Sequence, residues 1–506
     1  METKKFDAQT FINKCRAFYG GVKPGCSFAL NYKKGIGVVG AHFGDCGKGK
    51  FDDLIIREYK EAGYKVINIR GQGGGNAGHT VVDATTGKKY DFHYLPSGGL
   101  VSDIILLGAG MLLDPIKILK EAEKLPEEQR ERILIDGRAT FCTLIERKLD
   151  GYYESCKEKS GSEKVGSTGS GVGPAVSLRA LRVHIQFFKA KRCKNAEELK
   201  ELFDKIPDIP EYIWNDIAGE YGSVQEYINQ LYDAIQKLNI VESMPIIQYT
   251  RDQGWACVLE VSQAFCLDNL FGNEGNFVTS THTTVVGALA DAGLTPADLT
   301  DGTILVCKGY ASKVGGGPFV TQFTYQKTGE ANTYDEIQEQ LIAEYIYDHN
   351  GEKGVTTGRL RNLGWVDAVA IRAAIQRNGS STLAVNCMDT IGLIPGGKAK
   401  ICKAYMNKLT GEKTNFWPDM QSEYEPIYET IETNWDIKHA NCEEQIPEEA
   451  WRFLANLEYY SGATIKYIGT GGSNADVVRI SAKGRAMIET FKTEKCKAEC
   501  FNGTSE

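Results

Sequence analysis

The chain has 506 residues, 42% of them hydrophobic and 25% charged, which are ordinary values for a globular protein. Lysine and arginine number 58 against 66 aspartates and glutamates, and the net charge of −8 argues against a broad, non-specific nucleic-acid binder. No apolar run reaches the roughly 18 residues of a membrane span, and the N-terminus has no apolar signal core, so a cytoplasmic protein without nucleic-acid or membrane partners is expected.

Residues 1–34 carry no motif and read as an N-terminal extension. Gly35–Ala41 is a short β-branched run expected to be a buried strand, followed by a glycine-rich turn, a helix from Phe51 to Ala62 and a strand at Tyr64–Arg70. Strand, helix, strand over so short a span is a βαβ unit and implies a parallel sheet. Strands are then expected at Ile104–Leu107, Ile133–Ile135, Trp255–Val261, Thr303–Lys308 and Thr382–Asn386. Helices are expected at Pro115–Glu123, Ala196–Lys205, Ser223–Leu238, Gly364–Arg377 and Glu448–Leu457. The alternation predicts one α/β catalytic domain over 35–492, with a polar excursion at about 325–353 and a loose, charged tail over 493–506. The 14 cysteines are scattered without a CxxC pair, which suits reduced thiols and no zinc site.

The 55 glycines are the informative excess, and they cluster. Gly44-Asp-Cys-Gly-Lys-Gly-Lys-Phe51 fits GxxxxGK between a strand and a helix, where backbone amides, lysines and the helix dipole favour phosphate. The hydroxyl that a P-loop places on magnesium is missing at Phe51, and Asp45 is the candidate replacement. Gly71-Gln-Gly-Gly-Gly-Asn-Ala-Gly-His-Thr80 contains GxGxxG, but it leads into a strand rather than a helix, so it is read as a loop presenting Asn76 and His79 and not as a dinucleotide site. Gly166-Ser-Thr-Gly-Ser-Gly-Val-Gly-Pro174 offers small donors, with Arg179 and Arg182 beyond it for a phosphate. Val355-Thr-Thr-Gly-Arg-Leu-Arg361 suits carboxylate recognition by guanidinium. Asn386-Cys-Met-Asp389 follows an apolar strand and resembles a guanine-reading NKxD with cysteine in place of lysine.

Together these segments resemble the adenylosuccinate synthetase family. Its GDEGKGK stands as Gly44–Lys50 and its GGHNAGHT as Gly73–Thr80. Further similarity runs through Gly169–Ala175, Val278–Thr284, Val314–Phe319 and Thr356–Trp365, in the family's order over roughly 35–475. The resemblance implies a P-loop-related α/β fold with a large, mostly parallel central sheet flanked by helices. It implies a homodimeric ligase that joins IMP to L-aspartate through 6-phosphoryl-IMP, with Mg²⁺ and with hydrolysis of GTP to GDP and phosphate.

The catalytic residues it implies are Asp45, Lys48, His79 and Gln263. Asp45 would remove the N1 proton, His79 would act as acid near O6, and Lys48 would stabilise the moving phosphoryl group. The implied GTP site is Gly44, Asp45, Cys46, Gly47, Lys48, Gly49, Lys50, Gly78, His79, Thr80, Arg361, Cys387, Met388, Asp389, Gly469, Thr470 and Gly471. IMP would be held by Asp45, Lys48, Asn76, Ala77, Gly78, His79, Thr168, Gln263, Thr279, Val314 and Arg359, with Arg182 reaching across the dimer. Aspartate would meet Val355, Thr356, Thr357, Gly358, Arg359 and Arg361, and the metal Asp45 and the Gly78 carbonyl. The departures are Cys46, Gly75, Ser170, Ala264, Cys387 and Gly469–Gly472. They touch the nucleotide periphery and leave Asp45, Lys48, His79, Gln263, Arg359 and Asp389 in place. The alternatives are a same-fold paralogue that uses GMP, dGMP or another triphosphate, and a non-catalytic nucleotide-binding protein. In paralogues that use the other purines the catalytic aspartate is replaced, and here Asp45 is kept.

Overall fold

The strands are runs apolar on both faces, as a parallel sheet covered by helices on each side demands. A computed structural model describes residues 6–22, 27–82, 87–161, 168–354 and 358–502. In chain order the elements that open the fold are α1 (Ala8–Gly20), β1 (Lys34–Gly40), α2 (Lys48–Glu61), β2 (Val66–Gly73), β3 (His79–Val82), β4 (Lys89–Phe92) and β5 (Ile104–Leu113). An eleven-stranded sheet runs, edge to edge, Val477–Arg479, Thr464–Gly469, Thr382–Asn386, Thr303–Lys308, β1, Ala256–Glu260, β2, β5, Ile133–Asp136, Ile240–Val241, with Thr140–Phe141 also on β5. All its pairings are parallel except that of Val477–Arg479 with Thr464–Gly469. β1 lies in the middle, in register with Thr303–Val306 on one side and Ala256–Glu260 on the other.

Side chains alternate across β1, as a strand requires. Val39 joins Ile67, Leu259 and Leu305 in the larger core, while Val38 packs with Phe51 and Ile55 of α2 on the opposite face. A second, five-stranded sheet is built from Tyr310–Lys313, Asn362–Asp367, Lys398–Asn407, Lys413–Thr414 and Tyr424–Glu432.

Three expectations are corrected. The helix expected from Gly364 begins at Ala368; Asn362–Asp367 is a strand, paired with Tyr310–Lys313, and Asp367 caps the helix by accepting from the amides of Val369 and Ala370. The 325–353 excursion is helical, with Thr324–Thr328 and Tyr334–Asn350; Ile342, Ala343 and Ile346 fall at helical spacing into the main core. The described part of the tail is not loose: through Asn502 it continues the helix Ala482–Asn502, which lies on Glu448–Ser461. There the buried Glu458 pairs with Arg485 at 2.6 Å and Lys492 at 3.3 Å. The N-terminal stretch contributes α1, whose Ile12 and Cys15 are buried and whose Phe11 packs on Tyr249 and Trp255. Among the described residues no helix is long and apolar enough to cross a membrane.

Candidate active site

The carboxyl ends of the central parallel strands open into one cavity of about 1370 Å³. That is where open α/β sheets bind ligands. β1 delivers Gly44–Lys50, β2 delivers Asn76–His79, and Ala256–Glu260 delivers Glu260 and Gln263. Thr303–Lys308 delivers Lys308, and Thr382–Asn386 delivers Asn386, Cys387 and Asp389.

The loop after β1 turns through left-handed conformations at Gly44, Asp45 and Gly47, and α2 starts directly behind Gly47. Its fixed shape depends on Asn386, whose Nδ2 donates to the Cys46 carbonyl at 2.7 Å. A Cβ on Gly47 would sit 2.2 Å from that same nitrogen, so glycine is required there. Phe51, at the missing hydroxyl position, is fully buried against Tyr467. Lys50 is committed to the protein, donating at 2.8 Å to both the Gly471 and Asp476 carbonyls, and burial lowers its pKa to about 8.

Asp45 meets Arg361 at 2.9 Å. His79 opens β3, which pairs antiparallel with β4; the strand expected after the second glycine cluster is present, and the dinucleotide reading is excluded. Burial pushes the His79 pKa down to about 4, so the imidazole is neutral near pH 7, although Glu260 lies 3.9 Å from its Nδ1 and works the other way. Glu260 is itself fixed by the Ser97 amide at 2.6 Å. Burial raises the pKa of Asp389, and it pushes the Cys387 thiol up to about 12, so this cysteine is not a thiolate at neutral pH.

Two observations mark this cavity as a ligand site. Four of its residues, Asp45, Gln263, Cys387 and His439, hold the left-handed backbone that side chains avoid. Such strain persists where function requires it. Among the described residues, the cavity wall also carries buried polar atoms without a partner: His79 Nε2, Asn76 Oδ1, both amide atoms of Gln263, Arg361 Nε and Asn386 Oδ1. Such groups are costly to leave unpaired, and water or a polar ligand can pair them.

The cavity thus gathers Gly44–Lys50, Asn76–Thr80, Thr168, Gln263, Thr279, Val314, Arg361, Cys387, Asp389 and Gly471. Met388 and Thr470 are buried in the packing behind it, and Gly469 faces Asn386 there. Arg182, Gly358 and Arg359 are exposed and lie outside this chain's cavity wall. Val355, Thr356 and Thr357 lie outside the described residues. Sequence reasoning missed Glu260, Lys308, Glu352 and Lys313, which also line the cavity. Lys308 had a local signal, a charge ending an apolar strand; Glu352 had none.

A parallel sheet with a glycine-rich loop running into a helix, and a cavity at the strand ends, defines a nucleotide-using α/β enzyme. The adenylosuccinate synthetase family model matches residues 37–478, and the chain belongs to that family of GTP-dependent ligases. The adenylosuccinate synthetase of Caldicellulosiruptor bescii is 31% identical over 451 residues, covering 87% of this chain and 98% of that protein. That of Streptococcus sanguinis is 32% identical over 450 residues, covering 86% and 95%. The structure of a fully ligated adenylosuccinate synthetase from Plasmodium falciparum superposes with a TM-score of 0.77 at 27% identity, covering 88% of this chain and 99% of that one. The succinoaminodeoxyadenylate synthetase PurZ of cyanophage S-2L, bound to dGMP and dATP, shares the fold with a TM-score of 0.52 at 16% identity, covering 92% and 99%.

Proposed function

We propose that the chain forms adenylosuccinate from IMP and L-aspartate while hydrolysing GTP to GDP and phosphate, as a homodimer. The carrying observation is that Asp45 and His79 line one cavity with the phosphate-binding loop, Asn76 and Gln263, and that among the described residues Asn76 Oδ1 and both amide atoms of Gln263 have no partner. The 6-oxo group of a purine leaves poorly. Asp45 takes the N1 proton, the negative charge moves to O6, and O6 attacks the γ-phosphorus as GDP departs. The aspartate amine then adds at C6, loses a proton and expels the O6 atom as part of the phosphate.

Neutral His79 donates one N–H toward O6 and the phosphoryl oxygens. Lys48 and the amides of the loop meet the charge on the moving group. Asn76, Thr168, Gln263 and Thr279 hold IMP, and Arg182 of the second subunit reaches its phosphate. Val355–Gly358 and Arg359 receive the aspartate carboxylates, and Asp389 accepts from the guanine N1–H and 2-amino group.

Among the described residues no three acidic, histidine or cysteine side chains gather into a metal-holding group. The oxygens of Asp45 and Gly78, on the wall beside the phosphate loop, suit a Mg²⁺ held mainly by the nucleotide's own phosphates. That ion would neutralise phosphate charge. Retention of Asp45 supports IMP over GMP or dGMP. Cys387 favours a second reading in the donor only: without a lysine beside the base, the preference for GTP over ATP is relaxed.

The route is tested with IMP carrying ¹⁸O at O6. The proposal expects the label in released inorganic phosphate; label released into water would overturn the phosphorylated intermediate.

A further inference from the structure

Arg361 is held by more than Asp45. Its Nη1 lies 2.6 Å from Glu352 and its Nη2 2.9 Å from Asp45. Glu352 in turn meets Lys308 at 2.6 Å and accepts from the Tyr310 hydroxyl. Lys308 also donates to Ser312 at 2.6 Å, and Tyr310 accepts from the side chain of Asn350 at 2.8 Å. The chain of charges Lys308, Glu352, Arg361, Asp45 alternates in sign and runs from the sheet to the catalytic loop. The side chains of Lys308 and Glu352 are only 5 and 3% exposed. Burying charges costs free energy, and a hydrophobic pair of similar size stabilises a core as well or better. A buried pair at this position is therefore better explained by what it orients than by the stability it adds.

We propose that Glu352 is a positioning residue: anchored by Lys308 and Tyr310, it pins one arm of Arg361 so that the other arm fixes Asp45. A guanidinium gripped on one side cannot swing away when a phosphate or carboxylate arrives. The preorganisation is present before any ligand binds. Its catalytic consequence rests on the reaction proposed above; the clamp itself does not.

The test replaces Glu352. Because Glu352→Leu alone strands the Lys308 charge and could fail to fold, it is paired with the double variant Lys308→Met/Glu352→Leu, which removes both charges and preserves volume. A positioning role predicts kcat down about a hundredfold in the double variant at near-normal thermal stability, the scale of loss expected when a catalytic group is displaced by about 1 Å. It also predicts partial recovery in Glu352→Asp. Wild-type kcat in the double variant would overturn the proposal and reduce Glu352 to a counter-ion for Lys308. If the unaltered protein turns over no IMP, the functional reading fails and a crystal structure of the double variant decides the clamp. An Arg361 guanidinium released from Asp45 supports it, and one unmoved overturns it.

Discussion

Asp45 combines three constraints in one residue: a left-handed backbone, a place in the phosphate loop and a 2.9 Å contact with Arg361. If Asp45 is the base that frees O6, Asp45→Asn lowers kcat by roughly 10³-fold, within the range of lost general-base and electrostatic terms. GTP affinity by calorimetry should stay within a few-fold. Near-normal turnover in that variant would remove Asp45 from the chemistry. Much of this residue's setting was legible from sequence, because glycine spacing between a strand and a helix is a local signal. The groups that hold its partner Arg361 were not: Glu352 and Lys308 are 44 positions apart and meet only through tertiary packing.

At the scale of elements, the same division holds. The apolar runs of β1, β2 and β5 could be read because both faces of a buried parallel strand are hydrophobic. The run around Leu363-Gly-Trp-Val could not be assigned by period alone, and the strand there ends where the Asp367 side chain caps the following helix. The charged run from 493 gives no apolar period, yet it continues a helix that is anchored upstream of it: Arg485 and Lys492 neutralise the buried Glu458, whose side chain is 1% exposed. Arg485→Ala is accordingly expected to destabilise the fold by about 3 kcal/mol in denaturant unfolding, the usual cost of breaking a buried pair from one side. A loss below ~1 kcal/mol would mean Lys492 alone suffices.

Across the whole molecule, buried histidines set part of the response to acid. His42 is buried, its ring nitrogen 3.0 Å from the Asp367 carbonyl, and burial lowers its pKa from 6.5 to about 4. Between those values the unfolded chain holds a proton that the folded chain does not. The folded state is therefore favoured fully above pH 6.5 and loses this contribution as pH falls to about 4, by about 3 kcal/mol. His42→Gln removes that one titration, so the variant should gain about 3 kcal/mol relative to the parent between pH 7 and pH 4. A constant difference across that range would contradict it.

The reaction itself is followed through phosphate release and the ultraviolet spectrum of the purine with IMP, L-aspartate, GTP and Mg²⁺, omitting one component at a time. Equal amounts of phosphate and a succinylated purine are expected with all four present, and neither when any one is withheld. Phosphate released without aspartate, a product formed from GMP or dGMP but not IMP, or nucleotide binding with no turnover of any purine would contradict it.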